Sequence, residues 1–313
     1  MHKLAFIFPG QGSQSAGMGR ALAAEFPEAR AVFESIDAAL GDKLSALCFE
    51  GPDEALKLTA NTQPAILAVS AAAAAVLASR GVKPDIVAGH SLGEYSALVA
   101  VGALSAADAA RAVRARGTFM QEAVPAGAGA MAAVVGLDPE RIRMVCESVS
   151  AASGKVVSPA NYNDPNQTVI AGDATAVALA GQKLKETGAR RVMPLPVSAP
   201  FHCALMEPVK ARLEPVLRAI RWTQPSVPVV TNVEARANRA SDRIVPLLLA
   251  QVSAPVRWIE SVHELARLGA TRMIEVGPGN VLSGLVKRID KAIEVHHVGD
   301  PDSLKKTLTA LGA

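Results

Sequence analysis

The 313-residue chain is long enough to bury one large core or two smaller ones; half of its residues are hydrophobic but only 4% are aromatic, so aliphatic side chains and alanine must dominate that core. A formal net charge of +3 is too small to indicate a nucleic-acid-binding protein, and three cysteines without a C-x-x-C pair favour a reducing compartment. The longest apolar run, residues 65–79, is shorter than the ~20 residues that cross a bilayer, so we predict a buried helix and a cytoplasmic protein without a membrane segment.

The first part of the chain alternates apolar strands with helical patterns. The apolar run at residues 4–8 ends at Pro9-Gly10, which is typical of a buried strand that leads into a loop. Asn61 and Pro64 indicate a helix start, and Gly81 a helix stop. The other elements predicted here are helices 28–40, 52–58, 92–101 and 105–123 and strand 85–88.

A Gly/Ala-rich stretch near residue 126 indicates a domain boundary. The elements predicted after it are strand 130–135, helix 139–150, strands 155–160 and 167–171, helix 175–186 and strand 190–195. This βαββαβ order is that of a ferredoxin-like unit, so residues 127–197 are predicted to be an inserted small domain. Residues 161–166 have turn chemistry and are predicted to connect its two central strands.

From Ser198 the first pattern resumes. The predicted elements are helix 204–220, strand 227–231, helices 244–252 and 257–268, strand 273–276, helix 281–289, strand 293–298 and a terminal helix. Because strands and helices alternate, we predict an α/β fold with a parallel sheet. Residues 1–126 and 198–313 would then form one large domain.

The strongest local signal for chemistry is Gly89-His90-Ser91-Leu92-Gly93, between a β-branched strand and a helix. A nucleophile elbow needs this context, because small residues at Gly89 and Gly93 let a strained serine turn approach its neighbours. The alternative is an ordinary glycine-rich turn. We interpret Ser91 as a candidate nucleophile.

His202 is the candidate base for Ser91. It lies in a loop where the main pattern resumes, and it follows the serine in the chain, as in hydrolase-like folds. A structural role for this histidine stays open, and no carboxylate between the two has a recognisable strand-end setting. A backbone or amide oxygen can orient the imidazole instead. Arg116 is either a surface charge or, if it turns inward, a fork that binds a carboxylate.

Eight segments together resemble the malonyl-CoA:acyl carrier protein transacylase family of bacterial fatty-acid synthesis. They are FPGQGSQ (8–14), NTQPA (61–65), GHSLGEYSAL (89–98), RGTFMQEAVP (116–125), GAMAAVVG (129–136), FHCALM (201–206), PVRW (255–258) and EVGPGNVL (275–282). They extend over nearly the whole chain, and their combination and order are specific where GHSLG alone is not. The resemblance implies an α/β-hydrolase-like large domain with an inserted ferredoxin-like domain.

The resemblance also implies roles for residues of the catalytic centre. Ser91 matches the nucleophile that accepts the acyl group, and His202 matches its base. Gln251 matches the glutamine whose backbone carbonyl orients the histidine, which would explain the missing carboxylate. Gln11 and Leu92 match the residues whose backbone N–H groups form the oxyanion hole.

Further residues match positions that select the acyl group. Arg116 matches the arginine that binds the malonyl carboxylate, and Gln63 and Asn161 match polar residues of the pocket. Phe201 before the histidine resembles the malonyl-type pattern rather than the methylmalonyl type, as does Leu92 after the serine.

The reaction implied is a ping-pong transfer from malonyl-CoA to the phosphopantetheine thiol of acyl carrier protein, with no metal and no tightly bound cofactor. A monomer is expected. The carrier is acidic in this family, so basic residues are candidates to steer it, namely Lys185, Arg190, Arg191, Lys287, Arg288 and Lys291. Three alternatives remain open: a serine thioesterase or esterase, a trans-acting polyketide synthase acyltransferase, and a non-catalytic module that binds carrier protein.

Overall fold

Two β-sheets with helices packed against them form the protein, in a computed structural model that describes residues 3–197 and 199–312. Ser198, at which the second part of the predicted large domain begins, lies outside the described residues. The structure has the α/β character that the alternating pattern predicts.

The larger sheet has the strand order β10-β9-β1-β2-β7-β8. Its strands are β1 (Lys3–Phe8), β2 (Ile86–Gly89), β7 (Val229–Val230), β8 (Ala237–Asn238), β9 (Ala270–Val276) and β10 (Glu294–Val298). The first five strands in this order are parallel, whereas β8, which the sequence did not predict, pairs antiparallel with β7 at the edge. Alternate residues of β1 enter different clusters, with Phe6 and Phe8 in one and Ala5 and Ile7 in the other. The sheet is therefore buried on both faces, which explains the continuous apolar run of β1.

The helices before the small sheet are α1 (Arg20–Glu25), α2 (Pro27–Leu40), α3 (Leu44–Glu50), α4 (Asp53–Leu56), α5 (Thr59–Ser79), α6 (Gly93–Ala100) and α7 (Ala106–Glu122). Those after it are α10 (Glu207–Arg218), preceded by a short 3-10 turn at Ala204–Met206, α11 (Ile244–Gln251), preceded by another at Ser241–Arg243, α12 (Trp258–Arg267), α13 (Val281–Ile289) and α14 (Pro301–Leu311).

Helix α5 begins earlier than predicted and contains Pro64 in its interior. The side chains of Asn61 and Thr62 do not cap it, because they donate to the carbonyls of Ala55 and Leu56 in the preceding turn. By length and composition α5 is the one described helix that would also suit a membrane span, but 78% of its most apolar window is buried inside the protein. It therefore has the burial of a core helix.

The smaller sheet is antiparallel, with the order β4-β5-β3-β6. Its elements are β3 (Gly129–Val135), α8 (Pro139–Ser153), β4 (Val157–Asp164), β5 (Gln167–Asp173), α9 (Ala174–Glu186) and β6 (Arg191–Pro194). The predicted turn at residues 161–166 is mostly wrong, because Asn161 and Tyr162 pair with β5 and only Pro165 and Asn166 form the turn. Pairing across the hairpin outweighs the turn preference of the asparagines.

Strand β4 contacts segments that pack against the large sheet, namely helix α13 and the residues before α12. Tyr162 N donates to Val256 O at 2.9 Å, and Val256 N donates to Ala160 O at 2.8 Å. Nearby, Arg288 on α13 forms an ion pair of 2.7 Å with the buried Asp164. A further hydrogen bond, from His90 Nε2 to Asn163 Oδ1 at 2.9 Å, holds β4 beside the carboxyl end of β2, where Ser91 lies.

Candidate active site

Ser91 occupies a sharp turn between the end of β2 and the start of α6. Its φ of 52° lies in the left-handed region, where residues with a Cβ are strained. A Cβ on Gly89 would lie 1.9 Å from the carbonyl carbon of Gly93, and one on Gly93 would lie 2.1 Å from Phe8 O. Only glycine fits at either position, so the serine turn has the close packing that an elbow requires.

His202 is hydrogen-bonded to the Ser91 hydroxyl. The distance from Ser91 Oγ to His202 Nε2 is 2.7 Å, and His202 Nδ1 lies 3.0 Å from Gln251 O. Because a carbonyl only accepts, Nδ1 carries the proton and Nε2 presents its lone pair to the serine. Burial, followed by the positive charge of Arg116, lowers the pKa of His202 to about 3. The imidazole is therefore neutral at physiological pH and able to accept a proton.

Arg116 turns inward from α7 and is almost fully buried. Its Nη2 donates to Ser91 Oγ at 3.1 Å and to Gln251 Oε1 at 3.0 Å, and its Nη1 donates to Gln63 Oε1 at 2.9 Å. Its Nε is buried without a partner among the described residues. On the same helix, Arg111 instead forms an exposed ion pair with Asp108. A cation with an unused donor thus lies beside the Ser91 hydroxyl.

One cavity contains most of the residues predicted for the site. Ser91, His202 and Arg116 line it together with Gln11, Leu92, Gln63, Asn161 and Phe201. Gln251 lies behind them, fully buried. Five further lining residues were not predicted, namely His90, Met120, Met131, Leu195 and Val197. The last four are apolar residues in apolar elements, which carry no sequence signal for a site. The cavity is therefore lined by apolar side chains as well as by the buried cation of Arg116.

Residues 5–299 match the acyl transferase domain family. Over 311 residues the chain is 48% identical to the malonyl CoA-acyl carrier protein transacylase of Bacillus subtilis, covering 99% of this chain and 98% of that protein. The chain belongs to the malonyl-CoA:acyl carrier protein transacylase family. The resemblance expected from the eight segments is confirmed.

Solved structures of this transacylase family have the same fold. The acyl-carrier-protein S-malonyltransferase of Bartonella henselae superposes with a TM-score of 0.96 and 45% identity, over 100% of both chains. A malonyl-transacylase in complex with its type II PKS acyl-carrier protein superposes with a TM-score of 0.95 and 45% identity, over 98% of this chain and 99% of that chain.

A buried network that the sequence did not reveal underlies the site of this transacylase. Asn232 Oδ1 accepts from Ser91 N at 2.6 Å, and Asn232 Nδ2 donates to Gly89 O at 2.6 Å. Glu94 Oε2 accepts from both Asn232 N and Gln251 Nε2. Burial raises the pKa of Glu94 to about 7, against the lowering effect of these bonds. One signal was available for Asn232, which follows a strand of the parallel sheet at the same edge as Ser91.

Metal-binding residues are not clustered in the described part of the chain, where no group of three or more His, Cys, Asp or Glu side chains is placed to hold an ion. The cysteines Cys48, Cys146 and Cys203 are buried and unpaired. Cys203 donates to Pro200 O, and burial raises the pKa of its thiol to about 11, so it is a poor second nucleophile beside His202.

Proposed function

We propose that this enzyme transfers the malonyl group of malonyl-CoA to the phosphopantetheine thiol of acyl carrier protein, through an ester on Ser91. One observation carries the proposal: Ser91 Oγ lies 2.7 Å from His202 Nε2 and 3.1 Å from Arg116 Nη2. The first contact supplies a base. The second supplies a buried cation where the acyl group would sit, which an esterase for uncharged acyl groups does not need.

In the first half-reaction His202 Nε2 takes the proton of the Ser91 hydroxyl while Oγ attacks the thioester carbon. The negative charge that develops on the carbonyl oxygen is assigned to the backbone N–H groups of Gln11 and Leu92. Both residues line the cavity, and Leu92 precedes the first turn of α6. In comparable enzymes one such donor accelerates the reaction by roughly 10²–10³-fold. The carbon–sulfur bond then breaks, and His202 returns the proton to the CoA sulfur.

The second half-reaction reverses these steps with a different thiol. His202 takes the proton of the phosphopantetheine thiol, and the sulfur attacks the malonyl ester. The bond from the ester carbon to Ser91 Oγ breaks, and His202 protonates the serine oxygen. One base thus serves both halves, which suits an imidazole that Gln251 O holds in one tautomer.

Arg116 is proposed to select malonate over uncharged acyl groups. A malonyl carboxylate would replace the bonds that Arg116 makes to neutral oxygens with charge-assisted ones. An acetyl group offers no such replacement, so it gains less from the site. Gln63, Asn161 and Phe201 line the same cavity and are proposed to shape it.

The domain division remains a proposal as well. Residues 1–126 and 198–313 would form an α/β-hydrolase-like domain, and residues 127–197 an inserted ferredoxin-like one. The antiparallel order β4-β5-β3-β6, with α8 and α9 packed against these strands, supports the second assignment. The cytoplasm is the proposed compartment, supported by three unpaired thiols.

The acidic carrier is proposed to approach through basic residues of both predicted domains. Arg190, before β6, and Arg288, on α13, line one surface cavity together. This juxtaposition supports two of the six basic positions considered, because the cavity lies where the two predicted domains meet. Electrostatic steering of this kind raises association rates and weakens with salt.

A polyketide synthase carrier is a second candidate acceptor. The observation that favours it is the solved complex of a malonyl-transacylase, 45% identical to this chain, with a type II PKS acyl-carrier protein. A comparison of initial rates with carriers of both kinds distinguishes the two acceptors, because the cognate carrier should give the lower KM.

Intact-protein mass spectrometry after incubation with malonyl-CoA tests the proposal. We expect one malonyl group on Ser91 that persists in water and is discharged when carrier protein is added. The variant Ser91→Ala should take up none. A malonyl-enzyme that hydrolyses as fast without the carrier as with it would show a thioesterase instead.

A further inference from the structure

Glu94 is a buried carboxylate for which the acyl transfer has no direct use. It lies three residues after Ser91 in the first turn of α6, with 2% of its surface exposed. A carboxylate in such a place is costly unless hydrogen bonds satisfy it. The hydrogen bonds described for its side chain converge on one oxygen, Oε2, at 2.9 Å from Asn232 N and 2.8 Å from Gln251 Nε2.

The first bond secures the nucleophile. Asn232 uses both ends of its side-chain amide on the elbow, accepting from Ser91 N and donating to Gly89 O, each at 2.6 Å. Glu94 holds the backbone of the same asparagine. The two bonds of Asn232 therefore restrain the backbone at and before Ser91, whose φ is strained, and Glu94 holds Asn232 in position.

The second bond secures the base and the cation. The backbone carbonyl of Gln251 accepts from His202 Nδ1. The side chain of Gln251 accepts from Arg116 and donates to Ser91 O at 3.1 Å. With Nε2 bonded to Glu94, the amide of Gln251 can present only its oxygen to Arg116. If the oxygen and nitrogen of the Gln251 amide were exchanged, its NH₂ group would face the donor Nη2 of Arg116, and its oxygen would face the carboxylate of Glu94.

We propose that Glu94 is a positioning residue for acyl transfer, which acts by holding Asn232 and Gln251 in register and so aligns Ser91, His202 and Arg116 at once. Its contribution is an acceptor oxygen at the Oε2 position, and it touches no reacting atom. This inference rests on the proposed function only for its substrate, because alignment of Ser91 with His202 matters for any ester.

The test compares two variants of similar size. Glu94→Gln keeps an oxygen acceptor, whereas Glu94→Leu removes it. The readout is acylation of Ser91 by p-nitrophenyl acetate and by malonyl-CoA, per folded protein as measured by circular dichroism. We expect Glu94→Leu to lose about 10²-fold in kcat on both substrates, with little change in KM, because misplacement by about 1 Å has that effect. We expect Glu94→Gln to stay within about fivefold of the unmodified enzyme.

Glu264→Leu is the matched control, since it removes another buried carboxylate, on α12, that bonds instead to Arg267. It should change stability but not kcat. A folded Glu94→Leu with unchanged kcat overturns the proposal, and so does Glu94→Gln as slow as Glu94→Leu, because the acceptor oxygen would then not be the cause.

If Glu94→Leu fails to fold, Asn232→Ala decides, since it keeps the backbone bond to Glu94 and removes both bonds to the elbow. A tenfold or greater loss of kcat supports the proposal, and full activity overturns it. Reaction of the unmodified enzyme with p-nitrophenyl acetate but not with malonyl-CoA would refute the proposed function and leave this test intact.

Discussion

Arg116 has protein partners in the structure, and these partners bear on its proposed selection of malonate. Its donors contact Gln63, Gln251 and the Ser91 hydroxyl, all neutral oxygens. Burial lowers the pKa of Arg116, although Glu94 and Tyr95 oppose that shift. A malonyl carboxylate that enters the cavity therefore displaces hydrogen bonds from Arg116 to neutral oxygens and forms stronger, charge-assisted ones. The methyl group of an acetyl substrate forms none.

Substitution of Arg116 should separate malonyl transfer from acetyl transfer. We expect Arg116→Ala to lower kcat/KM for malonyl-CoA on the order of 10²-fold, the loss of one or two charge-assisted hydrogen bonds, with a much smaller effect on acetyl-CoA. Steady-state rates with both substrates measure this ratio. Arg111→Ala, which removes an exposed arginine of the same helix, should leave the ratio unchanged. An equal loss on both substrates would refute the role of Arg116 as a clamp.

Glu94 also predicts a pH dependence of stability. Its pKa is about 7 in the folded protein and near 4.5 when unfolded, so the folded state binds more protons between these values. Its contribution to stability is complete below pH 4.5 and is lost as the pH rises through 7. We expect Glu94→Gln to gain up to about 3 kcal/mol in unfolding free energy at pH 8 relative to pH 5.

Urea unfolding of both proteins at the two pH values measures this difference. A stability difference between Glu94→Gln and the unmodified enzyme that is the same at pH 5 and pH 8 would show that Glu94 does not titrate in this range.

The sequence offered candidates for the residues proposed to react but not for the residues that hold them in place. Ser91 was predicted from a local motif, and His202 and Arg116 were candidates because few residue types can do their chemistry. Glu94 gave no such signal, and Asn232 gave only its place after a strand of the parallel sheet. The bond between them joins positions 138 residues apart and forms only when β7 lies beside β2. In a sequence, a polar residue whose buried partner lies far along the chain cannot be distinguished from a polar residue of the surface.

At the scale of elements, the turn from β9 into α13 depends on one buried carboxylate. Glu275 ends close to the helix start and accepts from Leu282 N, Ser283 N and the Ser283 hydroxyl. These bonds satisfy backbone donors that the first turn of a helix leaves unpaired. Burial raises the pKa of Glu275, and the bonds from Ser283 and Leu282 oppose that shift.

Removal of this cap should be costly. We expect Glu275→Ala to lower the unfolding free energy by about 2–3 kcal/mol, because it leaves buried donors unsatisfied. Urea unfolding at pH 7 measures the loss. Glu294→Ala, on the neighbouring strand β10, removes an exposed carboxylate and should cost well under 1 kcal/mol. Similar values for the two variants would contradict the capping role.

The longer elements were predicted, and the elements that were missed are all short, although the four-residue strands β2 and β6 were predicted. Strands β3 and β9 and helices α7 and α13 lie close to their predicted positions. Helices α1 and α3 and strand β8, of six, seven and two residues, were missed. Fewer than two helical turns carry too little periodicity to recognise, and α1 and α3 lack a side-chain cap at their N-termini.

At the scale of the molecule, the site depends on the contact between the two sheets. Asn161 lines the cavity from β4, while its neighbours Ala160 and Tyr162 bond to the backbone of Val256. Asn163 Oδ1 accepts at 2.9 Å from Nε2 of His90, the residue before Ser91. The small sheet is therefore a wall of the cavity.

The cavity lined by Arg190 and Arg288 is where we expect acyl carrier protein to dock. We expect Arg190→Glu to raise KM for acyl carrier protein about tenfold at low salt, with acylation by malonyl-CoA unchanged. Transfer rates at low and high ionic strength measure this, because screening should reduce the difference. Arg218→Glu, on α10 and outside this cavity, is the matched control and should have little effect. Equal effects of the two variants would place the docking surface elsewhere.

The backbone at the site has a consequence for protein engineering. Ser91 and His202 both have a positive φ, and Ala235 is the only other residue besides glycine with this property in the described chain. Each such residue costs on the order of 1–3 kcal/mol, so selection for heat resistance alone would favour glycine at Ser91 and at His202, the residues proposed to react. A library screened by melting temperature should therefore enrich inactive proteins with glycine at position 91 or 202, unless activity is selected in the same round.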